Sequence, residues 1–342
     1  MDWKLSLAGL LVGLLVGVTG MGGGSLMTPL LVLVFGFKPS IAIGTDIVHG
    51  AIFKSFGAAQ HRRMGHVHAR LTAWMLLGSA PFSLIGVAVS WWLKKEYGEG
   101  YEDTAKAILG IALVVCGIAF LVKAYIHSYP EDKPFILARR DRVIAVVTGV
   151  VGGFVVGLTS VGSGTLFGLV MLIAFPLTAV KIVGTDIFHA AVLLTVAGAG
   201  QLVAGHVDLG ATGWLLIGSV PGVLIGGRLT LRLPDRALRI ALAATLTLSG
   251  VKLLDPPGSD AIVMAGAALA AIVAIVQASR WLAARSAPSA PGSEPSSRRR
   301  ARRGRPCSRS GAAAHPRGAP RRGAAGSARS TRRTPGTSDG RA

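Results

Sequence analysis

The chain has 342 residues, of which 51% are hydrophobic and 15% charged, and its mean hydropathy is +0.55. This composition excludes an ordinary water-soluble domain and indicates a membrane protein. The net charge of +20 does not indicate a nucleic-acid-binding protein, because residues 285–342 alone hold 15 Arg against 2 acidic residues. We therefore expect the lipid bilayer to surround most of the chain, and we expect no specific nucleic-acid partner.

Apolar stretches follow one another from the first residues onward and predict an all-α polytopic membrane protein with roughly 8–11 membrane segments. The stretches beside two Gly-rich segments are short, which predicts discontinuous or re-entrant helices at those places. In chain order the stretches are 5–20, 25–37, 39–60, 71–93, 105–126, 143–160, 164–180, 182–204, 211–231, 237–254 and 261–284.

The sequence contains an internal repeat, because residues 13–86 recur at 153–226 without a gap. Repeats of this kind are common in secondary transporters, which hold their substrate where the repeats meet. We expect a first membrane repeat over 1–126, a cytoplasmic linker over 127–142 and a second membrane repeat over 143–254. An extra C-terminal membrane helix over 255–285 and a disordered Arg-rich tail over 286–342 would follow.

The basic residues of the loops predict the orientation of the two repeats. Arg62 and Arg63 mark one loop, whereas its counterpart at 204–210 holds Asp208 and no basic residue other than His206. Because loops rich in Lys and Arg stay in the cytoplasm, the two loops are predicted on opposite sides of the membrane. The repeats would then be inverted relative to each other, with the tail in the cytoplasm and the protein in the cytoplasmic membrane.

Two Gly-rich segments, 19–25 and 159–165, are predicted to interrupt helices at membrane depth. Non-helical backbone persists there only where it is buried in protein or lines a wet cavity, and a helix that starts after it can bind an anion. Close packing of small residues is the alternative interpretation. The candidate substrate-binding residues are Thr19, Gly22, Gly23, Gly24, Thr45, Thr159, Gly162, Gly164 and Thr185.

An Asp and a His recur inside apolar stretches, as Asp46 with His49 and Asp186 with His189. An Asp near the bilayer centre costs about 2.5–3.5 kcal/mol on insertion scales, which favours a functional role. The i,i+3 spacing puts each His on the face of its Asp, close enough to hydrogen-bond or share a proton. We interpret the four residues as proton-coupling groups and expect each Asp to approach the break of the other repeat; a structural clasp between helices is the alternative.

At these residues the chain resembles the sulfite exporter TauE/SafE family, also called the TSUP anion transporters. The resemblance covers about residues 5–254 and is carried by the Gly-rich break before Pro29, the two Gly-Thr segments, Gly65-His66-Val67 and the paired motifs 78–81 and 218–221. It implies a secondary transporter for sulfite, sulfonates or related small organic anions, with proton coupling. Many members have Ser where this chain has Asp46 and Asp186, which leaves the substrate open.

Two other function classes fit parts of the pattern. A divalent-metal carrier could use the two Asp-x-x-His pairs as mixed oxygen and nitrogen ligands. An intramembrane aspartyl enzyme would need two close Asp residues, but the symmetric Gly-Thr-Asp segments are a poor match to the Gly-x-Gly-Asp pattern of such proteases. We therefore expect no enzyme activity, no catalytic residue, no cofactor and no resident metal, and we leave a homo-oligomer open.

Overall fold

The computed structural model describes residues 2–19, 24–125, 137–229, 235–261, 263–266 and 268. These residues all belong to one structural unit, Met1–Ser286, and they contain no strand. Helical residues follow the last labelled helix at 259–261 and 263–266. The labelled helices are α1 (Asp2–Thr19), α2 (Gly24–Leu33), α3 (Pro39–Arg63), α4 (Ala69–Tyr97), α5 (Gly100–Tyr125), α6 (Arg139–Thr159), α7 (Leu166–Ala174), α8 (Ala179–Val203), α9 (Leu209–Leu229) and α10 (Asp235–Leu254).

The expected all-α membrane architecture is confirmed at the level of helix length and composition. Among the described residues, five helices are long and apolar enough to cross a membrane: α4, α5, α6, α8 and α9. Shorter apolar stretches lie in α1 at Trp3–Gly17 and in α10 at Ile240–Leu254. Five to seven helices are therefore of membrane length. The helices α2 and α7, with 10 and 9 residues, are too short to cross a hydrocarbon core of about 30 Å.

Helix pairing follows the internal repeat. The helix α1 packs against α9, and the equivalent helices of the other repeat, α6 and α4, pack against each other. The helix α3 packs against its own counterpart α8, and α5 packs against α10. Each repeat thus contributes one helix to every major helix pair, so the two repeats interlock.

Small residues allow the crossing helices to approach closely. A Cβ atom at Gly13 would overlap the backbone of Ser219, and one at Gly153 would overlap the backbone of Ser79. The two contacts are equivalent under the repeat, as expected for small-residue packing between membrane helices. The same kind of backbone contact occurs at Gly9, Gly78, Gly86, Gly149, Gly157, Gly218 and Gly222.

The segment predicted to interrupt a helix in the second repeat does so. The helix α6 ends at Thr159 and α7 begins at Leu166, and φ is positive at Ser160 (64°), Gly162 (105°) and Gly164 (113°). All residues of 159–165 are buried, and the backbone N–H groups of Thr165 and Leu166 donate to the Gly162 carbonyl oxygen at 3.2 Å. This protein environment meets the requirement for non-helical backbone at membrane depth.

The matching break in the first repeat lies between the end of α1 at Thr19 and the start of α2 at Gly24. Gly22 and Gly23 lie outside the described residues, as do most of the linker predicted over 127–142 and the tail predicted over 286–342. The predicted helix over 255–285 is described only in its first part. The extra membrane helix over 255–285 and the disordered tail over 286–342 therefore stay predictions.

Glycine-mediated helix contact leads to a stability prediction. Gly153→Ala should destabilise the protein by about 1–3 kcal/mol, because the added Cβ overlaps the Ser79 backbone and one of the helices must move. The matched control is Gly213→Ala in α9, where no atom lies within 4 Å of the added Cβ and the equivalent residue of the first repeat is Ala73. This control should be neutral or stabilising, because Ala favours a helix over Gly. Thermal unfolding of the purified protein in detergent measures both, and equal midpoints would contradict the packing.

Candidate functional site

Asp46 lies fully buried in α3 and connects that helix to two others. Its Oδ2 accepts hydrogen bonds from the Thr28 hydroxyl of α2 at 2.5 Å and from the Ser160 hydroxyl at 2.8 Å. Ser160 belongs to the break of the second repeat, so the predicted approach of Asp46 to that break is present. Its other carboxylate oxygen, Oδ1, has no hydrogen-bond partner among the described residues.

Asp186 has different surroundings, although it is the repeat equivalent of Asp46. The residue equivalent to Thr28 is Gly168, which has no hydroxyl to donate. A Cβ at Gly168 would lie 2.6 Å from Lys123 Nζ and 3.4 Å from Asp186 Oδ2, so the ammonium and the carboxylate flank the same point. Lys123 is buried in α5, and its positive charge attracts the Asp186 carboxylate.

A second lysine, Lys54, is buried in α3 with 2% of its surface exposed. Its ammonium group donates to the Ser163 hydroxyl at 3.0 Å and to the Ser163 carbonyl oxygen at 3.4 Å. Ser163 lies in the same break as Ser160. The charge of Lys54 acts on both Asp46 and Asp186, so two carboxylates and two ammonium groups form one buried charged centre.

The predicted hydrogen bond between each Asp and the His three residues later is wrong. His49 Nε2 lies 2.8 Å from the Ser219 hydroxyl, and His189 Nε2 lies 2.9 Å from the Ser79 hydroxyl. Neither His has a hydrogen-bond partner at Nδ1 among the described residues. The i,i+3 spacing places Asp and His on one helix face, but α9 packs against α3 and α4 packs against α8, which brings a serine to each imidazole.

The threonines beside the two aspartates hold loops of the opposite repeat. Thr45 Oγ1 accepts from the backbone N–H of Asp208 at 3.0 Å, and Thr185 Oγ1 accepts from that of His68 at 3.0 Å. The adjacent Gly44 and Gly184 face the carbonyl groups of His206 and His66 closely enough that a Cβ atom would overlap them. The Gly-Thr part of each Gly-Thr-Asp segment therefore fixes the packing of α3 and α8 against the loops.

The remaining predicted site residues lie at the two breaks. Thr159 donates its hydroxyl to the Val155 carbonyl oxygen at 2.8 Å and accepts from the Val161 N–H at 3.2 Å, which closes the end of α6. Gly162 and Gly164 supply the positive φ angles that let the chain turn between α6 and α7. Thr19 and Gly24 flank the first break, where no side-chain contact is described.

Sequence reasoning missed Thr28, Lys54, Lys123, Ser160 and Ser163 as parts of this centre. Lys54 had a usable signal, because no other Lys or Arg occurs in the apolar stretch 39–60, and charged residues in such stretches mark functional sites by default. Lys123 looked like one of several basic residues at the end of a span. The serines had no signal of their own, since only the fold shows that they face Asp46 and Lys54.

The arrangement does not suit the metal-carrier alternative. No group of three or more His, Cys, Asp or Glu side chains close enough to hold a metal ion occurs among the described residues. The two imidazoles bind serines, and two lysine ammonium groups would repel a divalent cation. A charged centre buried between interlocked repeats of a helical bundle is instead typical of membrane transport proteins.

Comparisons with known proteins agree with this class. The model of the sulfite exporter TauE/SafE family matches residues 5–253. The probable membrane transporter protein YjnA of Bacillus subtilis is 40% identical over 256 residues, which is 74% of this chain and 100% of YjnA. The probable membrane transporter protein YdhB of Bacillus subtilis is 25% identical over 71% of this chain and 96% of YdhB. The probable membrane transporter protein y4hK of Sinorhizobium fredii is 27% identical over 73% and 97%.

No solved structure shows a significant match to the chain. The chain belongs to the TauE/SafE family, and it is a multi-pass membrane transporter rather than an enzyme. The resemblance predicted from the repeated motifs is confirmed. Transport of a small substrate across a membrane follows from membership of this family.

The two His–Ser contacts lead to a prediction about stability. Ser79→Ala and Ser219→Ala should each destabilise the protein by about 1–3 kcal/mol, because each leaves one buried imidazole nitrogen without a partner. Ser83→Ala is a matched control in α4, since the Ser83 hydroxyl only donates to the Ala80 carbonyl oxygen of its own helix. Denaturation in detergent should show two similar losses and a smaller effect for the control. No loss at either position would show that the contacts do not stabilise the fold.

Proposed function

We propose that this transporter carries a small sulfur-containing or organic anion, such as sulfite or a sulfonate, across the cytoplasmic membrane together with a proton. The observation that carries the proposal is the buried centre of Asp46, Asp186, Lys54 and Lys123. Two ionised carboxylates and two protonated amines have no net charge. Burial of an unbalanced ion costs several kcal/mol, so any ion that enters must be balanced.

This requirement couples the anion to a proton. A monovalent anion beside the two lysines would leave the centre with one excess negative charge unless a carboxylate takes up a proton. Asp46 and Asp186 are the groups at the centre that can do so, and each has a buried carboxylate oxygen without a hydrogen-bond partner among the described residues. His49 and His189 lie one helical turn further on and would relay the proton through their serine partners.

The two Gly-rich breaks would hold the anion. Backbone N–H groups at Gly162 and Gly164 would offer donors without adding further charge, and Thr159, with Thr19 and Gly22–Gly24 in the other repeat, would complete the two breaks. Thr45 and Thr185 would act by fixing the helices that carry the carboxylates. The breaks belong to opposite repeats, which supports a substrate position where the repeats meet, as in other transporters built from repeats.

The carboxylate at position 46 gives the most direct test of proton coupling. Asp46→Asn should lower uptake driven by a pH gradient by about tenfold or more, equivalent to about 1.4 kcal/mol, because Asn keeps the shape and hydrogen bonding of Asp but cannot titrate. Exchange of labelled sulfite or sulfoacetate without a gradient should persist. Proteoliposomes with and without an imposed pH gradient measure both.

The control for this experiment is Asp208→Asn. Asp208 lies in the loop before α9 and accepts from the Ala211 N–H at 2.9 Å, a role that Asn also fills. Both activities of this variant should match the unsubstituted protein. A pH-gradient effect of normal size in Asp46→Asn would exclude Asp46 as the proton carrier.

We also propose that the two repeats are inverted in the membrane, with Arg62 and Arg63 in the cytoplasm and the loop 204–210 outside. The repeat-equivalent helix pairs and the charge difference between the two loops support this orientation. Inversion would give the centre one route from each side of the membrane. The centre could then open to one side of the membrane at a time, and the repeat-equivalent helix contacts would serve in both the outward-open and the inward-open states.

Cysteine labelling tests the orientation. In a chain with Cys116→Ala and Cys307→Ser, an added Val203→Cys should react with an impermeant maleimide on intact cells, whereas Met64→Cys should react only after the membrane is opened. Both positions are exposed and lie at the ends of the equivalent helices α8 and α3. Equal labelling of the two in intact cells would contradict inversion.

A further inference from the structure

Lys54 has fewer hydrogen-bond partners among the described residues than its buried ammonium group can bind. An ammonium group has three hydrogen-bond donors, yet among the described residues only Ser163 accepts from Lys54, through its hydroxyl and its carbonyl oxygen. No carboxylate oxygen of a described residue lies within 4.0 Å of Lys54 Nζ, the distance that defines an ion pair. A buried ammonium is normally paired with a carboxylate or held by several acceptors.

The nearby carboxylates are engaged elsewhere. Asp46 Oδ2 accepts from Thr28 and Ser160, and Asp186 lies beside Lys123 over Gly168. Each Asp therefore acts on Lys54 only at a distance. The positive charge of Lys54 is compensated over the whole centre, but one of its three donors has no acceptor among the described residues and can bind an oxygen atom of another group.

We infer that Lys54 and Ser163 form the binding subsite for the charged group of the substrate, a small oxyanion such as a sulfonate, sulfite or carboxylate. The inference rests on the proposed transport function and names the residue that recognises the anion. The Lys54 ammonium and the Ser163 hydroxyl would each donate to an oxyanion oxygen, and charge-assisted bonds of this kind are stronger than neutral ones. Phosphate and chloride serve as comparison anions for size and geometry.

The same break connects this subsite to the proton site. Ser163 holds Lys54, while Ser160, three residues earlier, holds Asp46. Ser160 has a left-handed φ of 64° without being glycine, a strained conformation that the surrounding contacts must maintain. A proton on Asp46 and an anion on Lys54 would therefore act on one short strained segment, which supplies a physical link between the two events.

The subsite exists once in the chain despite the internal repeat. The residue equivalent to Lys54 is Leu194, whose Cδ1 packs in the core 3.0 Å from a Cβ placed on Gly50, and the residue equivalent to Ser163 is Gly23. The first-repeat lysine thus meets the second-repeat break, and the reverse combination is missing from the sequence. We expect one anion per chain rather than a symmetric pair.

Anion-dependent thermal stabilisation tests the subsite without a membrane or a pH gradient. The purified full-length protein in detergent is heated at fixed pH with increasing sulfite, sulfoacetate or acetate, with phosphate and chloride as comparison anions. A ligand that binds only the folded protein raises its stability as its concentration exceeds Kd. We expect Lys54→Gln to need at least about tenfold more anion for the same shift. Lys106→Gln, which removes an exposed lysine, should titrate like the unsubstituted protein.

Two further variants keep the result decisive if Lys54→Gln fails to fold. Ser163→Gly copies the residue of the first repeat and should bind the anion several-fold more weakly, and Lys54→Arg should retain binding better than Gln. An unchanged titration in Lys54→Gln, or in Ser163→Gly where the first variant does not fold, would overturn the inference. Absence of stabilisation of the unsubstituted protein by all three oxyanions would overturn it as well. If the unsubstituted protein in proteoliposomes does not respond to a pH gradient, while the variants show the expected weakening of anion binding, the proposed proton coupling is refuted and the subsite is retained.

Discussion

The burial of charge is the constraint on which the rest of this structure depends. Moving one ion out of water costs several kcal/mol. Four ionisable side chains lie buried between the helices, namely Asp46, Asp186, Lys54 and Lys123. Each needs polar groups that helix surfaces in a membrane rarely offer. The second Gly-rich break meets this need, because its non-helical backbone brings the Ser160 and Ser163 hydroxyls to Asp46 and Lys54. The short helices and the positive φ angles are consequences of that placement.

Close helix packing and the polar centre depend on each other. Membrane helices gain little from the hydrophobic effect between them, so they associate through van der Waals contact and hydrogen bonds. Glycines let α1 approach α9 and let α6 approach α4 until backbones touch. The same approach puts Ser219 and Ser79 beside His49 and His189. A bulkier interface would separate these helices and leave the imidazoles without partners, so the glycines serve the site as well as the fold.

The sequence predicted the repeat, the helical class and the break at 159–165, because hydrophobic runs and glycines act locally. It also predicted that Asp46 meets the opposite break, since a buried carboxylate needs donors and the break offers them. It failed on the partners of the two histidines, because helical spacing defines a face but not what packs against it. Lys54 and Lys123 were missed for the same reason. Lys54 carried a signal as a basic residue in an apolar stretch, but the partners of both lysines depend on where α3 and α5 cross other helices, which no local pattern records.

Differences between the repeats explain how a symmetric scaffold can hold an asymmetric centre. Two copies of the second repeat would place two carboxylates at the centre without any compensating lysine, because in that repeat the Asp recurs but Leu194 stands in the place of Lys54 and Gly168 in the place of Thr28. The first repeat supplies both lysines, and the loss of the side chain at position 168 makes room for Lys123 beside Asp186. Asp46 keeps hydroxyl donors, whereas Asp186 has a cation. A carboxylate held by neutral donors can take up a proton without breaking an ion pair, and one beside a lysine would lose that attraction. The two aspartates are therefore chemically different despite their equivalent positions, and of the two proposed proton carriers Asp46 is the better suited.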